Sequence, residues 1–302
     1  MNNLKKIGLT ALAGSLVASS AYAGALSVSG SAAVKYQSKG SERVTGNPFS
    51  DGNGITFSGP GDLENGMTVG YSYTMTDAAF STSNVTLDMG DTGKLAFGHD
   101  SAHGGIDTIK DMMPTAGEQV YDDVDATDNG LADNVSNSNM LGYNGSFGGL
   151  TISLGWAKDT GGADSSWAVE YPDLIDGMTI GFSMGEDGTS SDDTSAWIKY
   201  TSGAITAAWQ RSEVDFVASG TNDQESNHIG ISFAMNDSLT VSVGRQEVDM
   251  GAGKVDEEST GVAASYTMGS MTVAAHTNKT DDVGGSAGSE DSVTEVSVAF
   301  AF

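Results

Sequence analysis

The sequence predicts an all-β fold, a transmembrane antiparallel β-barrel of about 16 strands. Segments of alternating apolar and polar residues recur along the chain, and the connections between them are short and long by turns. The chain has 41 glycines and only 4 prolines in 302 residues. Glycine adopts the positive φ of tight turns, whereas proline cannot donate to a strand ladder. This composition therefore favours many hairpins joined by long uninterrupted strands.

Residues 1–23 are predicted to be a secretory signal peptide. Lys5 and Lys6 precede a short apolar stretch, and Ala21, Tyr22 and Ala23 match an A-x-A cleavage site. The barrel would then occupy residues 24–302. All 40 acids but only 11 of the 13 bases follow Ala23, which gives the mature chain a formal net charge of −29. Such a charge excludes nucleic acid as a partner, because that binding depends on Lys and Arg.

The first five predicted strands lie before a long insertion. The first, roughly Ala25 to Gln37, has period 2, and the second is short. Their apolar positions, in order, are Leu26, Val28, Ala32, Val34 and Tyr36; Ile55 and Phe57; Met67, Val69, Tyr71, Tyr73 and Met75; Val85, Leu87 and Met89; strand five is Lys94 to Gly98. Residues between these positions are mainly Ser, Thr, Gly and Asn, which indicates a polar second face.

The remaining strands follow the insertion and alternate in the same way. Their apolar positions, in order, are Leu141, Tyr143 and Phe147; Ile152, Leu154 and Trp156; Trp167, Val169 and Tyr171; Met178, Ile180, Phe182 and Met184; Ala196, Ile198 and Tyr200; Ile205, Ala207 and Trp209; Ile229, Ile231, Phe233 and Met235; Leu239, Val241 and Val243; Val262, Ala264, Tyr266 and Met268; Met271, Val273 and Ala275; and Val296, Val298, Phe300 and Phe302.

The turns and the polar face decide between a membrane barrel and a soluble sandwich. Gly148-Gly149, Ser202-Gly203 and Gly269-Ser270 suit tight hairpins. Outer-membrane barrels have short turns at one end, longer loops at the other and an apolar band outside. A sandwich would bury the apolar face, and a barrel of 16 strands encloses an aqueous channel because side chains cannot fill it. The small polar face fits the channel.

The last strand has an additional feature. Residues 295–302 alternate and end on an aromatic residue. This pattern resembles the terminal strand that outer-membrane barrels present to their insertion machinery, so Phe300 and Phe302 are predicted to form an assembly signal.

The longest interruption is the 99–138 segment between strands five and six. Together with the signal peptide, the hairpin rhythm and Phe302, it makes the chain resemble the general diffusion porins of Gram-negative bacteria, particularly those of alphaproteobacteria. The resemblance implies a homotrimer of 16-stranded barrels in the outer membrane, in contact with lipid and lipopolysaccharide. It also implies a third external loop that folds into the barrel and constricts a pore for small hydrophilic solutes and ions.

The predicted constriction loop is acidic. It has nine acids and a single base, Lys110. A ring of carboxylates attracts cations, and low-dielectric walls strengthen its field. The candidate constriction residues are Asp107, Asp111, Glu118, Asp122, Asp123 and Asp125. The alternative is a solvated acidic loop without a role in permeation.

Few bases are available to oppose these acids. The resembling porins have a basic cluster opposite the acidic loop. In this chain the candidate bases are only Lys35, Lys94 and Lys199, at positions on the polar face of the strands, and Arg43 in the first loop. This departure strengthens the prediction of cation preference. Arg211, Arg245 and Lys158 lie beyond the apolar band, where they would contact lipopolysaccharide phosphates or form a solvated rim.

No cofactor is expected to be required, but one structural ion is a candidate. Asp123, Asp125 and Asp128 precede Asn129-Gly130 and could supply oxygens to Ca²⁺. Their spacing does not match an EF-hand, so a bare acidic turn is the alternative.

Other functions have weaker support. We expect no enzymatic activity, because the four histidines form no recognisable pair with a nucleophile. A substrate-selective porin and a plugged barrel acting as a structural surface protein or adhesin remain alternatives to a diffusion channel.

Overall fold

The computed structural model describes residues 24–40, 46–99, 104–127, 139–158, 163–188, 190–218 and 221–302. The predicted signal peptide, Arg43 and Asp128 lie outside the described residues. Within the described part, three short 3₁₀ helices accompany the strands, at Gly90–Thr92, Gly105–Ile109 and Val283–Gly285. No helix in these ranges is long and apolar enough to cross a membrane.

Sixteen antiparallel strands form one closed barrel. They are β1 Ser27–Lys39, β2 Phe49–Asp62, β3 Thr68–Thr76, β4 Ala79–Asp88, β5 Lys94–His99, β6 Met140–Phe147, β7 Leu150–Lys158, β8 Ala163–Ile175, β9 Met178–Asp187, β10 Ser191–Ser202, β11 Ile205–Phe216, β12 Gln224–Ala234, β13 Leu239–Asp249, β14 Glu257–Met268, β15 Met271–Asp281 and β16 Glu290–Ala301. Each strand pairs with its neighbours in sequence, and β1 pairs with β16. The predicted fold class and strand count are confirmed.

The seam between β1 and β16 is closed by backbone and side-chain contacts of Phe302. The Phe302 amide donates to the Gly30 carbonyl at 2.9 Å, and the Gly30 amide donates to the Phe302 carbonyl at 2.7 Å. The Phe302 ring lies over Gly30 and leaves no room there for a Cβ. Phe302 therefore extends the ladder that removes both sheet edges. Its role as an assembly signal remains a prediction.

The predicted parity of the strands is also confirmed. Val34, Tyr36, Trp156 and Trp209 are exposed, whereas Gln210, of the opposite parity, is fully buried. Neighbouring residues of a strand point to opposite faces, so the sheet has one apolar exposed face and one polar face. The fully buried side chains include Gln210 and Gln246 of the polar face and Ile106 and Ile109 of the 99–138 segment.

Two details of the strand assignment differ from the sequence prediction. The second strand is long, Phe49–Asp62, because ladder pairing with β1 and β3 continues through residues with little apolar alternation. The connection between β3 and β4 is a two-residue turn, with φ of 50° at Asp77 and 65° at Ala78. The 99–138 segment is thus the third connection at its end of the barrel but not the third long one.

Candidate functional site

Residues 104–127 lie along the polar face of the sheet. The Gly105 amide donates to Ser153 Oγ of β7 at 2.8 Å, and the Ala116 amide donates to Ser242 Oγ of β13 at 2.8 Å. A backbone segment buried against a wall needs partners for its N–H and C=O groups. The small hydroxyls of the polar face supply them.

Gln210 of β11 holds the middle of this segment. Its Oε1 accepts a hydrogen bond from the Met112 amide at 3.0 Å, and its Nε2 donates to the Lys110 carbonyl. The side chain is fully buried. Because an amide side chain has both a donor and an acceptor, one residue satisfies two backbone groups of the loop.

Two apolar anchors also fix the segment. Ile106 packs with Met140 of β6, and Ile109 packs with Trp197 of β10; all four are buried. These four residues were not among the site residues predicted from the sequence. The sequence did indicate these anchors. Ile106 and Ile109 are apolar residues three apart in an acidic loop, and Trp197 is an aromatic residue at a polar-face position of its strand.

The far end of the segment is tied to β14 and β15. Asn278 Nδ2 donates to the Gln119 carbonyl at 2.7 Å and to the Asp122 carbonyl at 3.0 Å. The Thr127 amide donates to Glu257 Oε1 at 2.6 Å. Both wall side chains are buried. The segment is therefore held by the wall from β6 to β15.

Two predicted constriction acids have structural contacts. The Asp107 side chain is 0% exposed and lies 4.0 Å from Lys110 Nζ, so it faces protein and does not line a water path. Asp111 accepts hydrogen bonds from Tyr121 Oη at 2.6 Å and Gln119 Nε2 at 3.0 Å. These contacts order the loop internally.

Glu118 and Asp122 face a more polar environment. Glu118 Oε1 lies 3.4 Å from Lys35 Nζ of β1, and the Glu118 side chain is 39% exposed. Burial raises the pKa of Asp122 to about 6, a donor at the Gln119 amide opposes the rise, and the Glu118 charge adds to it.

Asp123 and Asp125 contact different parts of the wall, the first through its side chain and the second through its backbone amide. Asp123 Oδ2 lies 3.6 Å from His276 Nε2 of β15. Asp125 is exposed, and its amide donates to Asp291 Oδ2 at 2.8 Å. The structure brings Asp123 together with His276 and Glu295. The predicted grouping of Asp123 with Asp125 and Asp128 includes Asp128, which lies outside the described residues. Calcium binding there stays a prediction.

The predicted bases are not gathered in one cluster. Lys94 lies at the end of β5 remote from the loop, 3.8 Å from Asp88. Lys199 Nζ stands 5.4 Å from the centre of the Trp197 ring and lines a cavity of about 370 Å³ beside Asp111. Of the predicted bases that the structure describes, Lys35 is the one that forms an ion pair with a loop acid, Glu118.

The polar face of β2, β3 and β4 has a different character. Thr56 and Thr74 share a hydroxyl hydrogen bond of 2.9 Å. A cavity of about 270 Å³ is lined here by residues that include Ser58, Ser72 and Thr86. This part of the wall presents small neutral groups.

Comparison with known proteins agrees with this architecture. The profile of the Gram-negative porin family matches residues 8–302. No curated protein sequence matches the chain. Among solved structures, a porin refined at 1.8 Å resolution is 17% identical, with a TM-score of 0.69 over 92% of this chain and 100% of that one.

Two further structures are similar to the same extent. The anion-selective porin from Comamonas acidovorans is 15% identical, with a TM-score of 0.66 over 92% of this chain and 99% of that one. OmpT, an outer membrane protein of Vibrio cholerae, is 11% identical, with a TM-score of 0.66 over 92% and 98%. At such identities the structures establish the fold alone. The family match spans nearly the whole chain, so the protein belongs to the Gram-negative porin family and its barrel lies in the outer membrane.

Proposed function

We propose that this porin forms a water-filled channel for passive diffusion of small hydrophilic solutes and ions, with a preference for cations. The apolar face of an outer-membrane barrel contacts lipid, so the polar face lines the interior. The observation that carries the proposal is the position of residues 104–127 on this polar face, with their carboxylates, opposite the neutral wall of β2 to β4. In this arrangement the loop narrows the channel.

The charges of the loop support the cation preference. Glu118, Asp122 and Asp125 are at least partly accessible, and Lys35 lies beside Glu118. The chain as a whole carries a formal net charge of −27. Carboxylates at a constriction concentrate cations, and low-dielectric walls focus their field. The Comamonas porin is described as anion-selective, but at 15% identity it informs the fold and not the charge of this loop.

The open space beside the loop favours a channel over a plugged barrel. The contacts of residues 104–127 described above lie on β6 to β16 and at Lys35 of β1. On the other side, β2 to β4 retain a cavity of about 270 Å³ with hydroxyl-bearing walls. Small polar side chains there leave room for hydrated ions.

The partners we propose are outer-membrane lipid and two further copies of the chain in a homotrimer. Resemblance to trimeric porins supports the trimer. Neighbouring acids oppose direct binding of lipopolysaccharide phosphates by Arg211 and Arg245. Arg245 Nη2 lies 2.7 Å from both Glu247 and Glu258, and Arg211 forms the same contacts with Glu213 and Glu225. Each trio keeps one negative charge, so attraction of a phosphate there would require a bridging cation.

Conductance across planar bilayers tests the proposal. Refolded residues 24–302 should give large ohmic steps that scale with salt concentration, because a wide aqueous pore conducts in proportion to its ions. Closed membranes, with a protein that is folded by its resistance to heat in detergent, would instead indicate a plugged barrel. Current blocked by one class of solute at low concentration would indicate a substrate-selective porin.

A further inference from the structure

Three potential ligand atoms meet where the constriction segment touches the barrel wall. Asp123 belongs to the loop, His276 to β15 and Glu295 to β16, and their side-chain ligand atoms all lie within 4.8 Å of one another. His276 and Glu295 are directly opposite each other in the ladder. Both are buried, whereas the Asp123 side chain is 28% exposed. The group is therefore closed on the wall side and accessible from the loop side.

The imidazole of His276 is the unusual member of this group. Its side chain is 4% exposed, and its Nε2 has no hydrogen-bond partner among the described residues. The distance of 3.6 Å to Asp123 Oδ2 is longer than a hydrogen bond. A buried polar atom without a partner is costly, so an additional ligand at this position would satisfy it.

We propose that Asp123, His276 and Glu295 bind one divalent transition-metal ion of the Zn²⁺ or Co²⁺ class. Ligand atoms about 2.0–2.1 Å from a tetrahedral Zn²⁺ lie about 3.4 Å apart. The separation between His276 Nε2 and Asp123 Oδ2 is close to that edge without any movement. One imidazole and two carboxylates leave the fourth position open to water or to a permeating anion.

The donor set selects the class of ion. Imidazole suits Zn²⁺, Cu²⁺, Ni²⁺ and Co²⁺, whereas Ca²⁺ prefers six to eight oxygens. This site therefore differs in residues and in chemistry from the calcium site predicted at Asp123, Asp125 and Asp128.

The neighbouring charges leave room for a divalent ion. Lys35 Nζ lies 3.2 Å from Glu295 Oε1, and Gln37 Nε2 donates to Glu295 Oε2 at 2.8 Å. Each carboxylate oxygen keeps a second lone pair. With Glu118 beside Lys35, the carboxylates of Asp123, Glu295 and Glu118 face one ammonium group, so these carboxylates exceed it by two negative charges.

A contact from the wall orders the loop beside Asp123 before an ion arrives. Asn278, two residues after His276, fixes the turn that presents Asp123 through the Gln119 and Asp122 carbonyls. Asp123 itself has φ of 62°. An ion bound here would join the loop to the wall and place positive charge at the proposed constriction. The effect of this charge on permeation rests on the proposed channel function, whereas metal binding by the three residues does not.

Calorimetric titration of the untagged, refolded protein with ZnCl₂ tests the binding directly. We expect saturable uptake of one ion per chain, and a tetrahedral absorption spectrum when Co²⁺ replaces Zn²⁺. His276→Gln and Asp123→Asn should each weaken affinity at least about tenfold, since loss of even an outer-shell partner costs about 10- to 100-fold. Asn is well suited to the positive φ at this loop position, so Asp123→Asn leaves the barrel wall intact.

His228→Gln is the matched control. His228 is also buried on the polar face, but its Nε2 lies 3.1 Å from Ser226 Oγ, so this variant should bind Zn²⁺ as the parent does. Unsaturable uptake by the parent, or unchanged affinity in His276→Gln, would overturn the site. In bilayers, Zn²⁺ should lower cation preference at concentrations where Ca²⁺ does not. Zinc binding without any change in current would uphold the site and count instead against the proposed constriction.

Discussion

The two sides of the barrel wall have the same alternating pattern but different surroundings. On the side covered by the loop, polar-face residues such as Gln210, Ser212 and Gln246 are fully buried. On the bare side, Thr56 and Thr74 are only half-buried and bond to each other. Alternation therefore tells which residues share a face, but it does not tell what that face contacts.

The size of the polar residues separates the two sides. The covered wall carries long hydrogen-bonding side chains, namely Gln210, His228, Gln246, His276, Asn278 and Glu295. The bare wall is mainly Ser, Thr and Gly. Buried backbone groups of a loop need partners that can reach them, whereas small hydroxyls can be hydrated. Large polar residues on the polar face of the strands thus indicate where a loop lies against a barrel wall.

The seam that joins the two sides should be the most sensitive point. Deleting Phe302 removes its pair of backbone hydrogen bonds with Gly30 and uncovers that glycine. We expect the variant to be exported but to yield little folded barrel, because β1 and β16 then pair less completely. The amount of heat-resistant protein in outer-membrane fractions measures this effect, and normal amounts would show that the seam closes without Phe302.

Parity can be tested within a single strand of the covered side. Val241→Arg places a charge on the lipid face of β13 and should cost about 2–4 kcal/mol of stability if the position is near mid-bilayer. Thr240→Arg, on the polar face next to it, should mainly alter conductance. Unfolding of both variants in urea provides the comparison. Equal losses of stability would mean that the two faces are misassigned.

The sequence predicted the barrel better than the site. Period-2 alternation is local, so it fixed the faces of most strands, including β10 to β16. It underestimated β2, whose length depends on pairing with β1 and β3. The contacts of the acids depend on where the loop lies, which is not a local property. Asp107 therefore proved to be buried, and the partnership of Asp123 with His276, 153 residues later by number, had no signal in the spacing.

Substitution of two glycines on the polar face tests whether the loop lies against one side of the barrel wall. A Cβ on Gly155 would lie 2.9 Å from the Gly104 carbonyl oxygen and 2.6 Å from Met140 Cε, whereas a Cβ on Gly52 would meet nothing within 4 Å. Gly155→Ala should cost about 1–3 kcal/mol through overpacking and should change single-channel conductance as the loop shifts. Gly52→Ala should change neither by a comparable amount. Identical behaviour of the two variants would indicate that the loop does not press on β7.

We expect the carboxylates of the loop, and not the general acidity of the chain, to set the ion preference of the channel. The direct measurement is the zero-current potential in a KCl gradient for Glu118→Gln, Asp122→Asn and Asp125→Asn combined. A matched variant removes three rim acids instead, with Glu213→Gln, Glu247→Gln and Asp281→Asn. We predict that cation preference falls in the loop variant, most at low salt because the Debye length grows from about 3 Å at 1 M to about 30 Å at 0.01 M, and changes much less in the rim variant. An unchanged potential in the loop variant at low salt, or an equal fall in both variants, would contradict the account.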